Sequence, residues 1–230
     1  AYHARRFCFS GRSKYQKIDI IDNEAYGRML FLDDNVQHTA YDAHIFNEAL
    51  CGPVKRKGVS RVVVLGAGSG QTVLSLLESS EISQVTVIEI DGLVVKCCSK
   101  YIKGVEQAFG DQRVKIVIAD AFAYLHATDD EFDACVIDFT EKPFGMKRNL
   151  PILMRLYKDI REKCKGRCSQ YIGSSVQLAY GPQLKSVADR LTKKFLSNVR
   201  YEDVFIPSFG APHTFMHAGY DEKPQKTIGW

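Results

Sequence analysis

The chain contains no apolar run near the roughly 20 residues that span a bilayer. Its first residues, Ala1-Tyr2-His3-Ala4-Arg5-Arg6, lack the apolar centre of a secretory signal. A soluble, cytoplasmic protein is the expectation. A clustered basic face is also missing: 31 Lys and Arg stand against 27 Asp and Glu, spread along the chain with only short clusters such as Lys55-Arg56-Lys57 and Lys147-Arg148. Binding to a phosphate backbone needs such a face, so nucleic acid is not an expected partner. The 7 cysteines are odd in number and form no Cys-x-x-Cys pair, which argues for reduced, mostly buried thiols over a disulfide framework or a zinc site. His213 and His217 flank a predicted strand with no acid or cysteine to complete a metal set. No Gly-x-Ser-x-Gly elbow points to a hydrolase, and repeats, low-complexity tracts and long linkers are absent.

What is present is an alternation of elements. Tyr15 to Ile21 and Arg28 to Leu32 read as a β-hairpin joined by a polar turn from Asn23 to Gly27. A helix is expected from Asp42 to Leu50, ended by Gly52-Pro53. Beyond Gly58, apolar runs at 61–65, 85–90, 114–118 and 134–137 alternate with helical stretches from Thr72, Leu93 and Ala121. Further helices are expected over 151–163 and 182–196, and two strands within 201–218. Runs apolar on both faces and separated by helices mean a parallel sheet covered on both sides. The expected fold is therefore α/β: a doubly wound, mostly parallel sheet behind a small N-terminal β-hairpin element. Residues 1–52 are expected to form that element and its linking helix, and residues 53–230 the catalytic domain.

Three successive strand ends carry polar chemistry. The first opens into Gly66-Ala67-Gly68-Ser69-Gly70, a turn that lets a ligand approach the backbone at a helix N-terminus. The second ends in Glu89-Ile90-Asp91, where an acid can accept both hydroxyls of a ribose. The third ends in Asp120-Ala121, a carboxylate at the same edge within reach of an adenine amino group, although each acid also suits a helix N-cap. The third glycine falls one position too early for the dinucleotide fingerprint, which favours a compact nucleoside without pyrophosphate.

These motifs, with Ser13-Lys14-Tyr15-Gln16, Gly27 through Asp33, Gln37-His38-Thr39, Asp42, Glu48, Asp138 and Pro207-Ser208-Phe209, resemble the polyamine synthase family of spermidine and spermine synthases and putrescine N-methyltransferases. The resemblance runs from Ser13 to about Gly219 and implies a Rossmann-like methyltransferase sheet. By it, Gln16 caps the cofactor's tail, Gly66, Gly68, Ser69 and Gly70 form the cofactor loop, Glu89 holds the ribose, and Asp120 with Ala121 meets the adenine. Asp138 faces the acceptor amine, and Glu141 stands where the family carries a second acid. An amine must be neutral to attack, so a proton acceptor near the sulfonium is required. Phe46 and Phe209 replace two tyrosines around the acceptor, beside Asn47.

Ser69 replaces an aspartate that holds the amino group of decarboxylated S-adenosylmethionine. A serine hydroxyl can bond the carboxylate of intact S-adenosylmethionine without charge conflict. The first expectation is therefore an S-adenosylmethionine-dependent methyltransferase acting on a small amine. The alternative is an aminopropyltransferase using decarboxylated S-adenosylmethionine, and a third reading is a non-catalytic binding or regulatory subunit. The two phenylalanines and the basic stretch 141–148 suggest an acceptor less cationic than putrescine. The family commonly forms dimers through its N-terminal element, so the resemblance implies a homodimer as one assembly and leaves the oligomeric state open.

Overall fold

A computed structural model describes residues 2–66, 68–138, 150–176, 189–190 and 192–220. Two sheets make up the fold. The first is a four-stranded antiparallel sheet of β1 (Arg6–Arg12), β2 (Lys17–Asn23), β3 (Gly27–Leu32) and β4 (Asn35–Thr39) in that spatial order. The expected hairpin is its centre, β2 against β3, closed more tightly than the sequence suggests. Asn23 pairs with Gly27 across the turn, and Asn23 Oδ1 accepts from the backbone N–H of Ala25 and Tyr26. Strand β1 goes unforeseen because it is an exposed edge with weak alternation, and β4 because its sequence Asn-Val-Gln-His-Thr is largely polar.

Helix α1 (Ala43–Cys51) leads into the second sheet, whose elements are β5 (Arg61–Leu65), α2 (Gln71–Leu77), β6 (Gln84–Glu89), α3 (Gly92–Tyr101), α4 (Val105–Phe109), β7 (Val114–Ile118), α5 (Ala121–Ala127), β8 (Ala134–Ile137), α6 (Leu150–Lys163), β9 (Cys168–Ser174), β10 (Arg200–Ile206) and β11 (Ala211–Ala218). The strands run β10-β11-β9-β8-β5-β6-β7. They are parallel from β9 to β7, and β11 and β10 form the antiparallel edge. The chain thus builds outward from β5 to β7 and returns to the other side of β5 for β8. That reversal opens a crevice at the carboxyl ends of β5 and β8.

The period of two assigns each central strand to two cores. Val63, Leu65, Ile88, Cys135 and Ile137 face α5 and α6, while Val62, Val64, Val85, Val87 and Val136 face the layer that includes α1 and α2. Full burial of such side chains contributes about 2 kcal/mol each. A third cluster joins the sheets: Ile18 and Ile20 of β2 and Leu30 and Leu32 of β3 pack on Val94, Cys97 and Cys98 of α3. Cys8 is half-buried, the other six cysteines are buried, and all seven are free thiols. No helix among the described residues is long and apolar enough to cross a membrane.

Strand β9 and helix α4 are further elements the sequence reading lacks. β9 reads Cys-Ser-Gln-Tyr-Ile-Gly-Ser, yet six of its seven residues are buried. Its polar groups are satisfied in place: Gln170 Oε1 accepts from Tyr157 Oη at 2.8 Å, and Ser169 Oγ lies 2.8 Å from His217 Nδ1. The helix expected over 182–196 lies mostly outside the described residues; 192–195 are helical.

Candidate active site

The parallel ladder brings the four strand ends to one level. Gly66 N–H donates to Ile88 O at 2.8 Å, Ala119 N–H to Glu89 O at 3.0 Å, and Asp138 N–H to Leu65 O at 2.9 Å. The glycine turn, Glu89, Asp120 and Asp138 therefore share one sheet edge, where two cavities open.

The first, about 420 Å³, lies at the ends of β6 and β7 and is lined by Ile90, Asp91, Ile118, Ala119 and Asp120, with Lys14 and Tyr15 entering from the N-terminal sheet. Ile90 and Ile118 are 38% and 55% exposed, large apolar groups left uncovered at strand tips, as the walls for a planar ring need to be. The acids here also do structural work. Asp120 caps α5, its Oδ1 accepting from Ala123 N–H at 3.0 Å, and Ala121 is buried behind it. Glu89 Oε1 accepts from Asp91 N–H at 2.8 Å. Buried Asp91 caps α3 through Leu93 N–H at 3.1 Å and accepts from Ser13 Oγ at 2.6 Å and Gln16 Nε2 at 3.0 Å. That last bond tethers Gln16 to the residue two beyond Glu89.

The second cavity is narrow, about 40 Å³, and sits at the ends of β5 and β8. Gly68, Ser69, Asp138, Phe46, Asn47 and Phe209 all line it, so helix α1, the glycine turn and the loop after β10 meet here. Gln37, His38 and Asp42 complete its wall. Gly68 sits at φ +48°, and a Cβ there would come within 2.8 Å of Asp138 Oδ2; at Gly70, φ +81°, a Cβ would strike Val105 at 2.4 Å. The turn is therefore glycine at both positions for backbone conformation and for close approach. Ser69 Oγ accepts a long bond, 3.4 Å, from Gln71 N–H.

Burial raises Asp138 to about 6, helped by the charge of Glu89 and opposed by a 2.9 Å bond from Thr72 Oγ1. A carboxyl in that range can take and release a proton near neutral pH. Burial lowers His38 and His213 to about 4, so both are neutral there. Phe46, Tyr171, Phe209, His213 and Phe215 form one aromatic cluster, with Phe46 and Phe209 edge-to-face at 6.2 Å and Tyr171 Oη 2.7 Å from His213 Nδ1. His213 and His217 both belong to β11, each beside a hydroxyl.

Glu141 lies outside the described residues, as do Ala67 and the basic stretch 141–148. The structure adds Thr72, Ile118 and Lys14 to the site. Ile118 was legible as the apolar residue before Ala119-Asp120, and Lys14 within its motif. Thr72 carried no signal, since its partner is 66 residues away.

Comparison with known proteins identifies the family. The spermine/spermidine synthase domain matches residues 39–224, and the spermidine synthase tetramerisation domain matches residues 5–40. A polyamine aminopropyltransferase of Hyperthermus butylicus is 28% identical over 232 residues, covering 94% of this chain and 76% of the relative. One from Pyrobaculum neutrophilum is 36% identical over 136 residues, 56% of this chain and 47% of the relative. A crystal structure of a spermidine synthase in complex with the transition-state analogue AdoDATO superposes with a TM-score of 0.83 at 25% identity, covering 94% of this chain and 74% of that one. Spermidine synthase from Thermotoga maritima shares the fold with a TM-score of 0.80 at 24% identity over 94% and 73% of the two chains. The chain belongs to the spermine/spermidine synthase family.

Proposed function

We propose that this protein is an aminopropyltransferase that joins the aminopropyl group of decarboxylated S-adenosylmethionine to a small amine. The observation that carries the reading is Asp138, a half-buried carboxylate raised to about 6 that shares one cavity wall with Ser69, Phe46 and Phe209. The acceptor nitrogen forms a bond to the propyl carbon beside the sulfonium, the C–S bond breaks with its electron pair going to sulfur, and the proton shed by nitrogen passes to Asp138. The chain's remaining contribution is positioning and exclusion of water.

In this reading Glu89 holds the ribose, with Gln16 beside it through Asp91. Ile90 and Ile118 clasp the adenine, and Asp120 and Ala121 meet its edge. Gly66, Gly68, Ser69 and Gly70 pass the sulfonium and tail. Phe46, Asn47 and Phe209 surround the acceptor, and Glu141 serves as the second acid by resemblance. The Phe46 and Phe209 walls and the neutral His38 favour an amine with an apolar body, held in part by ring faces. The N-terminal sheet, which matches a tetramerisation domain, is the surface through which copies assemble.

Methyl transfer from intact S-adenosylmethionine was the first expectation from sequence and now takes second place. The relatives described above are polyamine aminopropyltransferases, and Ser69 alone favours the intact form. Titration calorimetry of both nucleosides, with Ser69→Asp alongside, separates the two. Aminopropyl transfer predicts tighter binding of the decarboxylated form, strengthened about tenfold in Ser69→Asp by pairing a carboxylate with the ammonium. Preference for the intact form, lost in Ser69→Asp, would restore methyl transfer. Binding of neither would favour the non-catalytic subunit.

A further inference from the structure

We propose that Thr72 and Asn47 form a hydroxyl switch that sets how firmly Asp138 holds a proton, with Asn47 acting on Asp138 only through Thr72.

Asn47 Nδ2 donates to Ala43 O at 2.7 Å, which turns Asn47 Oδ1 toward Thr72. Turning the amide over would set two acceptors against each other at that distance, so the orientation is fixed. Thr72 Oγ1 then lies 3.0 Å from Asn47 Oδ1 and 2.9 Å from Asp138 Oδ2. Both neighbours are acceptors when Asp138 is ionised, and a hydroxyl has one proton. Thr72 can serve the carboxylate, leaving the buried Asn47 oxygen without its donor, or serve Asn47 and leave the carboxylate without this one. When Asp138 carries a proton on Oδ2 the conflict disappears: Asp138 donates to Thr72, and Thr72 donates to Asn47. Every contact is then satisfied.

The arrangement therefore penalises the ionised form and rewards the protonated one. Asn47 and Thr72 are buried, at 7% and 2% exposure, so a lost bond is not made up by solvent at little cost. Other groups facing Asp138 push the same way or are silent. Glu89 at the end of β6 repels a second negative charge. The Cys51 thiol of α1 is kept neutral by burial, and His38 on β4 is neutral. Asp42, on the same cavity wall, has its charge taken up by Thr39 and Ser208. The close approach of Gly68 leaves Oδ2 little room to leave Thr72.

In aminopropyl transfer, the proton from the acceptor nitrogen would complete the chain as it arrives, Thr72 turning from Asp138 to Asn47. That consequence rests on the proposed function; the switch itself does not, because titration reads it without turnover. Thr72 and Asn47 are positioning residues in this role.

The test is the carboxyl ¹³C shift of Asp138 followed with pH in the full chain, assigned by its loss in Asp138→Asn. Thr72→Ser keeps the hydroxyl and should leave the midpoint unchanged. Asn47→Leu removes the competing acceptor without admitting water, so Thr72 serves the carboxylate undisturbed and the midpoint falls by about one unit. Thr72→Val removes the hydroxyl that links the two, so adding Asn47→Leu to Thr72→Val should move the midpoint no further. A fall in Asn47→Leu that vanishes in the Thr72→Val background establishes the switch; no fall, or an equal fall in both backgrounds, overturns it. Asn47→Ala replaces Asn47→Leu if the larger side chain prevents folding. If the titrations behave as expected and no aminopropyl transfer is found, the proposed function fails and the switch stands.

Discussion

The two cavities at the carboxyl edge of the sheet use the same residue type in opposite ways. In the larger one, Asp91 and Asp120 sit where carboxylates are comfortable, capping α3 and α5 and accepting backbone or side-chain bonds. In the smaller one, Asp138 is half-buried, faces the charge of Glu89, and shares its Thr72 donor with Asn47. A wall of satisfied acids gives shape and polarity that need not change during a reaction. A poorly satisfied acid changes state near neutral pH, as proton transfer requires. On the proposed function, the large cavity binds and the small one reacts.

Replacing Asp138 tests that division most severely. Asp138→Asn should lower transfer about 10²- to 10⁴-fold, while nucleoside affinity measured by calorimetry stays within about twofold, a change well under 1 kcal/mol. Equal losses in both would mean that the cavities do not act separately. The same variant carries a stability signature. The folded-state value of about 6 lies above the ordinary carboxylate value of 3.8, so folding favours the protonated form. This contribution is fully present below about pH 4 and is lost as pH rises through about 6. Asp138→Asn should therefore raise thermal stability at pH 8, by up to about 3 kcal/mol, and do little at pH 4.

Asp42 provides the internal contrast, a buried carboxylate on the same small cavity. It accepts from Thr39 Oγ1 at 2.6 Å, Ser208 N–H at 2.6 Å and Ser208 Oγ at 3.0 Å, tying β4 and α1 to the turn after β10. Asp42→Ala would strand those donors and cost about 3 kcal/mol, read as an earlier urea midpoint with unchanged slope. A gain in stability at pH 8, like that expected for Asp138→Asn, would show that full satisfaction does not distinguish the two acids.

The sequence carried these regions unequally. The parallel strands were legible because runs such as Arg-Val-Val-Val-Leu are buried on both faces, and the strand-end acids because their positions follow from those runs. The polar strands β4 and β9 were not, since their burial depends on partners far along the chain, such as His217 for Ser169. Asp138 was legible as an acid at a strand end, but its unusual state was not. That state arises from burial and from the charge of Glu89, and its neighbours Thr72 and Asn47 are brought together by the packing of α1 on α2, a contact with no local pattern. Roles set by strand position show in the sequence, whereas roles set by helix packing require the fold.

Ile118 examines the binding cavity alone. It is 55% exposed at the tip of β7, so truncating it removes little from the folded core. If it covers one face of the adenine, Ile118→Ala removes apolar area that leaves water only on binding. Nucleoside affinity should then weaken about fivefold, near 1 kcal/mol, with no change in melting temperature and none in the Asp138 titration. The absence of an effect on Asp138 matters as much as the loss of affinity. Ile118 and Asp138 lie on β7 and just beyond β8, with β5 and β6 between those strands. Separate cavities predict that a change at one end of that row leaves the other untouched. A shifted Asp138 midpoint in Ile118→Ala would mean that the binding wall also sets the charge state of the reacting acid, and the division between the two cavities would fail at its smallest perturbation.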